Sequence, residues 1–331
     1  MDITTVADDL IVVHDGAQVH RLHGLQPDTA HDVAGTVVRT LPRPEGELLC
    51  RFATVNDVHF GEVEAGRLGI DTNGPVQRAD LGDLPYPETM NHAAVAEIQQ
   101  IDPAAVVVKG DLSADGKPEE WEAFERCYRD AFGQRLFVVR GNHDAYHGQQ
   151  TYAGDQWISL PGIAVALLDT TIPLQTTGML HAAQLDWLQS HATASTVPVI
   201  AMGHHQQFTG SNRTPDYFGL HPDASDALTA VIDRCPSLVA YTAGHTHRHR
   251  RRILPNGVPT IEIGCVKDFP GTWAEYRVYE GGITQVVHRM SSPDALRWSE
   301  RCRHLYADYG VDYETYALGS LSDRCFNIAL R

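Results

Sequence analysis

The chain is poor in basic residues, and this shortage argues against nucleic acid and anionic membranes as partners. Of 331 residues, 26 are Lys or Arg and 42 are Asp or Glu, so the formal net charge is −16 with His neutral. A surface of that sign repels nucleic acid and anionic lipid unless basic groups are concentrated locally. We therefore expect neither nucleic acid nor a membrane as a partner.

Signals for export and for membrane insertion are also missing. Residues 1–13 contain three Asp and no basic residue, whereas a secretory signal starts with positive charge and continues into an apolar run. No stretch reaches the roughly 18 uninterrupted apolar residues of a membrane span. The six cysteines are scattered without a C-x-x-C pair, which indicates reduced thiols rather than disulfides. Together these absences predict a cytoplasmic protein.

Three segments follow one another along the chain. Residues 1–47 have the pattern of a small β-rich appendage, residues 48–290 that of the main domain, and residues 291–331 that of a tail of mixed structure. In the main domain, short apolar runs alternate with amphipathic helical patterns, which is typical of an α/β sandwich with mixed sheets.

The elements of this main domain can be placed from the hydrophobic pattern. The predicted strands are Leu49–Val55, Ala104–Val108, Leu136–Val139, Ile163–Leu168, Val197–Met202 and Leu238–Ala243. The predicted helices are Glu88–Ile101, Pro118–Phe132, Ala182–His191 and Ser225–Cys235. An antiparallel meander is expected after them, with strands at Val258–Ile263, Trp273–Tyr279 and Ile283–His288.

What the chain has in abundance is histidine, with 18 residues, and several of them stand where predicted strands end. In open α/β sheets, ligands bind outside the carboxyl ends of the strands. At most of these strand ends a glycine precedes the polar residues, and glycine lets the backbone turn sharply and approach a ligand closely. The five clusters are Asp57-Val58-His59, Gly110-Asp111, Gly141-Asn142-His143-Asp144, Gly203-His204-His205 and Gly244-His245-Thr246-His247.

These clusters offer oxygen and imidazole donors and no thiolate. Such donors suit Fe, Mn, Zn or Co rather than a structural thiolate zinc site. Seven donors are too many for one catalytic ion with an open position, but they suit two ions that share a carboxylate, about 3.5–4 Å apart. The candidate ligands are Asp57, His59, Asp111, Asn142, His204, His245 and His247.

Taken in order, the clusters read D-x-H, G-D, G-N-H-[DE], H and G-H-x-H. The complete set resembles the calcineurin-like metallophosphoesterases over about residues 49–290. The resemblance implies that family's four-layer α/β/β/α sandwich. It also implies a division of the ligands, in which the first metal is held by Asp57, His59 and His247, the second by Asn142, His204 and His245, and Asp111 bridges both.

Within that family, the chain is most similar to the class III cyclic-nucleotide phosphodiesterases and their glycerophosphodiesterase relatives. Its total length, the adjacent His204-His205 and the compact motif spacing carry this similarity. The resemblance implies hydrolysis of a phosphodiester, foremost a 3',5'-cyclic nucleotide, by attack of a metal-bridging hydroxide. His143 would be the general acid at the leaving oxygen, and Asp144 would orient it. Fe and Mn are the expected ions, with Zn or Co as alternatives.

Several alternatives stay open at this point. The substrate could instead be a glycerophosphodiester, another nucleotide or a phosphomonoester, and a non-catalytic scaffold for protein binding is a remote alternative. Whether the chain forms a homodimer is also left open. His205 either contacts substrate or packs behind the ligands. The basic run Arg248–Arg252 either draws anionic substrate to the cleft or forms a solvated face, which is the more common role of such runs.

Overall fold

The structure is a computed structural model, and it describes residues 1–67, 75–208, 210, 213 and 217–331. In chain order the strands of this described part are β1 (Asp2–Val6), β2 (Leu10–Asp15), β3 (Gln18–His23), β4 (Ala30–Val33), β5 (Thr36–Arg39), β6 (Leu48–Val55), β7 (Val106–Lys109), β8 (Leu136–Val139), β9 (Gln156–Leu160), β10 (Ile163–Leu168), β11 (Val199–Gly203), β12 (Leu238–Ala243), β13 (Arg250–Ile253), β14 (Pro259–Glu262), β15 (Thr272–Tyr279), β16 (Gly282–Arg289) and β17 (Phe326–Ile328). The α-helices are α1 (Tyr86–Gln100), α2 (Pro118–Phe124), α3 (Asp130–Phe132), α4 (Ala182–Ala194), α5 (Pro222–Arg234), α6 (Pro293–Arg301), α7 (Tyr313–Leu318) and α8 (Leu321–Arg324).

Two six-stranded sheets form the centre of the described part. The strand order is β13-β14-β12-β11-β10-β9 in the first sheet and β17-β16-β15-β6-β7-β8 in the second. In the first sheet β10, β11, β12 and β14 run parallel, and in the second β6, β7 and β8 do. Each sheet therefore has one edge at which several strands end together.

Three apolar clusters separate four layers. Because side chains alternate along a strand, Val107 of β7 faces the other sheet while its neighbour Val106 faces away. Val107 joins Val165 of β10 in the cluster between the sheets. Val106 packs with Met90 of α1, and Leu188 of α4 belongs to the cluster on the far face of the first sheet. The order of layers is helix, sheet, sheet, helix, so the predicted α/β/β/α sandwich is confirmed.

The predicted strands and helices of the main domain lie within three residues of their expected bounds. The helix predicted over Pro118–Phe132 does run from α2 to α3, but it passes through a wider π-helical turn at Glu125–Arg129. Four aromatic residues recur along it at spacings of three or four, and of these Phe124, Tyr128 and Phe132 are buried, whereas Trp121 is partly buried.

The predicted antiparallel meander is wrong in its first strand. β14 lies in the first sheet, parallel to β12 and antiparallel to β13. β15 and β16 do form an antiparallel pair, but both belong to the second sheet, where β15 also pairs with β6. The physical reason is the connection over residues 263–271, which is too long for a hairpin turn and carries the chain from one sheet to the other.

The two ends of the chain pack on the second sheet. β1–β3 form an antiparallel sheet, and β4 and β5 form a hairpin. The Thr5 hydroxyl donates to the Val287 carbonyl of β16 at 2.7 Å. At the other end, Trp298 of α6 belongs to the same apolar cluster as Met90, and β17 extends the sheet beside β16. The division of the chain at residues 47 and 290 stays a prediction.

All six cysteines are free thiols, and five of them are buried. Among the described residues, no helix combines the length and the apolar character that a membrane crossing requires.

Candidate metal centre

The five polar clusters lie at the ends of β6, β7, β8, β11 and β12, and the backbone there is strained. Five of the seven candidate ligands have left-handed backbone angles, with φ of 54° at Asp57, 49° at His59, 51° at Asp111, 69° at His245 and 54° at His247. This conformation costs a non-glycine residue roughly 1–2 kcal/mol, and such strain concentrates at functional sites. The folded chain thus holds these five side chains in directions that ordinary loops avoid.

One group of donors is formed by three of the candidates. Nε2 of His204 lies 3.0 Å from Oδ1 of Asn142 and 3.2 Å from Nδ1 of His245. The other nitrogen of His204 contacts the Lys109 carbonyl at 2.9 Å, which orients the ring. Asn142 donates through Nδ2 to the Tyr146 hydroxyl at 2.6 Å, so its Oδ1 is the atom turned toward His204.

A second group contains Asp57, His59 and His247, whose donor atoms all lie within 4.8 Å of one another. Nε2 of His247 is 3.5 Å from Oδ1 of Asp57. The backbone N–H of His245 donates to both oxygens of Asp57 at 3.1 Å, which fixes the carboxylate in the turn.

Asp111 lies between the two groups. Its Oδ2 is 3.5 Å from Nε2 of His59 and 3.3 Å from Nε2 of His204, one member of each group. Its Oδ1 accepts from the backbone N–H of His143 at 2.9 Å. This is the placement that a shared carboxylate requires, although the assignment of individual ligands stays a prediction.

The candidate ligands have the donor–donor spacing that metal ions require, and some of their donor atoms lack a hydrogen-bond partner. Metal–nitrogen and metal–oxygen bonds of about 2.1 Å place neighbouring donors about 3.0–3.4 Å apart in octahedral or tetrahedral geometry. The separations given above run from 3.0 to 3.5 Å. Both ring nitrogens of His59 are buried without a hydrogen-bond partner among the described residues, so one of them is available to a metal ion. Such groups cost about 1–3 kcal/mol each unless a ligand satisfies them.

Metal binding needs carboxylates ionised and imidazoles neutral. Some candidate ligands have pKa values shifted toward these states, whereas the charges of Asp111 and Asp57 raise the pKa values of His204 and His247 against the lowering effect of burial. Burial alone would raise the pKa of Asp111, but the charges of His204 and His143 hold it well below its ordinary value. Burial, aided by the charge of Lys267, lowers the pKa of His59 to about 4. Burial likewise lowers the pKa of His245 well below its ordinary value.

Glycine is required at two of these turns because neighbouring strand ends come into contact. A Cβ atom on Gly110 would lie 2.5 Å from Nδ1 of His204, and the residue has φ of +84°. A Cβ atom on Gly141 would overlap Oδ1 of Asp111. The absence of side chains at these two positions allows β7, β8 and β11 to bring their ligands together.

His143 is placed differently from the ligands beside it. Its Nδ1 contacts the Ala114 carbonyl at 2.7 Å. A carbonyl can only accept, so Nδ1 carries a proton and Nε2 is the nitrogen that can exchange one with a ligand. The ring lies edge-on to His59, with centroids 4.5 Å apart, and lines the cavity beside the cluster. This placement suits the predicted acid role, which stays a prediction.

The predicted role of Asp144 needs a correction. Its carboxylate accepts from the backbone N–H groups of Gly141, Leu112 and Ser113 at 2.8–3.0 Å and from the Ser113 hydroxyl at 2.6 Å. It therefore does not orient the His143 ring directly, because the Ala114 carbonyl occupies the ring nitrogen available for that contact. Asp144 instead ties the loops after β7 and β8 together.

His205 packs behind the ligands rather than facing a substrate. Nε2 of its ring contacts the Thr176 carbonyl at 3.1 Å, and Nδ1 contacts the Thr170 hydroxyl at 2.8 Å. Both nitrogens are thus used within the protein. In the basic run, Arg248 and Arg252 pair with Glu262 of β14, and residues 250–253 form β13. Part of this run is therefore an ion-paired sheet edge.

Sequence reasoning missed Asp268, a buried carboxylate near His247. Asp268 is fully buried, and its Oδ2 lies 3.9 Å from Nδ1 of His247, with no hydrogen-bond partner among the described residues. Its Oδ1 accepts from the Tyr313 hydroxyl at 2.9 Å and from the Cys265 thiol at 3.0 Å. Burial raises the pKa of Cys265 well above its ordinary value, so this thiol stays protonated. Nothing in the pattern around Lys267-Asp268 signals a site, because neither residue ends a predicted strand.

The cluster opens into a cavity of about 670 Å³. Candidate ligands form one side of it, and aromatic residues supply much of the remainder. The aromatic lining consists of Tyr146, Phe218, Tyr306, Tyr313 and Tyr316. An ion pair between the buried Lys267 and the partly buried Glu62, with Nζ–Oε distances of 2.5 and 2.7 Å, also reaches this cavity.

A buried cluster of carboxylate and imidazole donors at the strand ends of a four-layer sandwich is typical of a metal-dependent enzyme. The model of the calcineurin-like phosphoesterase family matches residues 50–249, and the chain belongs to this family. The protein is therefore a metal-dependent phosphoester hydrolase.

Known relatives agree with this assignment. A probable cyclic nucleotide phosphodiesterase of Synechococcus sp. is 28% identical over 179 residues, which cover 52% of this chain and 68% of that protein. A 3',5'-cyclic-nucleotide phosphodiesterase of Nostoc sp. is 27% identical over 216 residues, 61% of this chain and 73% of that protein. The crystal structure of a dimetal phosphatase from Danio rerio shares the fold, with a TM-score of 0.54 at 17% identity over 74% of this chain and 98% of that chain.

Proposed function

We propose that this protein is a two-metal phosphodiesterase that hydrolyses a small phosphodiester, foremost a 3',5'-cyclic nucleotide. The observation that carries the proposal is the pair of donor groups on either side of Asp111, each with donor atoms at metal-ligand spacing. The names of the two cyclic-nucleotide relatives support the choice of substrate.

The chain would hold one ion through Asp57, His59 and His247, and the other through Asn142, His204 and His245. The donor set of oxygen and imidazole favours Fe and Mn, with Zn or Co as alternatives. When bound, two such ions supply a nucleophile from water near neutral pH and neutralise charge on the phosphoryl oxygens.

The remaining chemistry falls to the protein. His143 keeps one proton on Nδ1, at the Ala114 carbonyl, and gives the proton on Nε2 to the leaving alcohol oxygen. Tyr146 holds the Asn142 amide so that its oxygen faces His204. The net charge of −16 does not oppose an anionic substrate, because bound cations dominate the local field.

The test combines metal analysis with a substrate panel. The full chain is stripped of metal, reconstituted with Mn or Fe, and assayed on cyclic AMP, on glycerophosphoethanolamine and on the monoester adenosine 5'-monophosphate, all of which have alkyl leaving groups. We expect two ions per chain and faster turnover of the diesters than of the monoester. A single ion per chain would refute the two-metal site, and a preference for the monoester would refute the diesterase assignment.

A further inference from the structure

The aromatic wall of the cavity contains an unusual pair of side chains. Among the described residues, two aromatic side chains are exposed, namely Phe218, which is 49% exposed, and Tyr316, which is 36% exposed. Both line the cavity beside the metal cluster. Exposed aromatic rings inside a cavity are typical of a ligand site, in which they offer large apolar contact area.

Phe218 is fixed against a candidate metal ligand. Its ring stacks on that of His245, with centroids 4.0 Å apart and an angle of 28° between the planes. One face of Phe218 is thus covered, and about half of the side chain remains exposed. The ring therefore lies beside the candidate metal ligands, and His245 fixes its orientation.

Tyr316 comes from the C-terminal segment, which lies outside the region matched by the family model. Its hydroxyl donates to the Thr246 carbonyl at 3.0 Å, between two candidate ligands in sequence. The next residue, Ala317, accepts from the backbone N–H of His249 at 3.0 Å. Helix α7 is therefore docked directly on the loop that carries His245 and His247.

We propose that Phe218 and Tyr316 form the subsite for the nucleobase of a nucleotide diester, and that they favour nucleotides over glycerol diesters. A nucleobase offers a planar π face to such rings, whereas a glycerol group offers none. The cavity volume of about 670 Å³ also falls in the range of sites for organic ligands of this size. This inference rests on the proposed diesterase function.

The experiment compares kcat/KM for cyclic AMP with that for glycerophosphoethanolamine in the reconstituted full chain. In Phe218→Leu and in Tyr316→Leu, the ratio of the two values should fall about 5- to 150-fold, mainly through KM for the nucleotide. This range corresponds to the roughly 1–3 kcal/mol of base–aromatic stacking. Tyr316→Phe keeps the ring and removes the hydroxyl, and its ratio should stay above that of Tyr316→Leu.

Ile253→Ala is the matched control, because Ile253 is 57% exposed and does not line the cavity. Its ratio should equal that of the wild type. Calorimetric binding of adenosine 5'-monophosphate and of glycerol 3-phosphate adds a readout without turnover, and the two Leu variants should weaken the first more than the second.

An unchanged ratio, or an equal loss on both substrates, would overturn the subsite. If the wild type cleaved no diester, the proposed function would fail, and the calorimetric comparison would still decide the subsite. Nucleotide binding that is equally strong in all variants would then refute it.

Discussion

Removal of the His143 side chain should separate catalysis from metal binding. His143 contacts Asp111 through its backbone N–H, and this contact survives any substitution of the side chain. What His143→Ala removes is the ring nitrogen that can give a proton to the leaving oxygen. General-acid catalysis contributes about 10²–10⁴-fold, or about 2.7–5.4 kcal/mol of barrier at 1.36 kcal/mol per tenfold. The variant should lose a factor in that range on cyclic AMP, whose leaving ribose oxygen needs a proton.

The loss should depend on the leaving group. A p-nitrophenolate leaves with little need of a proton, so the same variant should lose less than about tenfold on bis(p-nitrophenyl) phosphate. His147→Ala is a matched control four residues further on, since the His147 side chain is 64% exposed and pairs with Asp115 instead of lining the cavity. This control should keep wild-type rates on both substrates.

The assay is steady-state kinetics on both substrates, with metal content measured on the same protein samples. Equal losses on the two substrates would assign His143 an electrostatic role instead of proton transfer. Loss of metal in His143→Ala would make it a structural residue, because its ring packs against His59.

Three further predictions concern metal binding and stability. Asp111→Ala should lower the occupancy of both ions, whereas Asn142→Ala should affect one, and equal metal contents in the two variants would exclude a bridging Asp111. Asp268→Asn should weaken metal binding roughly 10–100-fold in a chelator competition, because the carboxylate faces Nδ1 of His247, and an unchanged affinity would refute that positioning role. Burial lowers the pKa of His14 from 6.5 to about 4, so the folded state favours the neutral ring, and stability present above pH 6.5 is lost as the pH falls toward 4. The full loss is about 3.4 kcal/mol at about 1.36 kcal/mol per pKa unit. The free energy of unfolding, measured with urea between pH 7 and pH 5, should therefore fall less steeply in His14→Asn than in the wild type. An equal fall in both proteins would contradict this prediction.

The features that sequence reasoning placed correctly are those encoded over a few neighbouring residues. Strands such as Ile163–Leu168 are short apolar runs, and Gly110-Asp111 is a glycine turn followed directly by a ligand. Alternation of side chains then predicts which residues face the other sheet. An α/β sandwich with mixed sheets and the strand-end position of all seven candidate ligands follow from this local information, whereas the four-layer order is implied by the family resemblance.

The features that escaped prediction depend on contacts between distant parts of the chain. β13 overlaps the basic run Arg248–Arg252, which resembles a solvated loop until Glu262 is placed beside it. Asp268 is recognisable only once Tyr313, 45 residues away, is seen to donate to it. The partner of His143 is a backbone carbonyl, and a backbone atom leaves no mark in the amino-acid pattern.

The C-terminal segment shows how such distant contacts bear on function. It reaches the metal cluster at two separate points, through Tyr313 at Asp268 and through Tyr316 at the Thr246 carbonyl. The first contact holds a carboxylate 3.9 Å from His247, and the second places a ring in the cavity beside the candidate ligands. Asp268, Tyr313 and Tyr316 all lie beyond residue 249, where the match to the family model ends. The strand-end motif thus indicates the reaction class of this enzyme, and we propose that its choice of substrate depends on residues outside that motif.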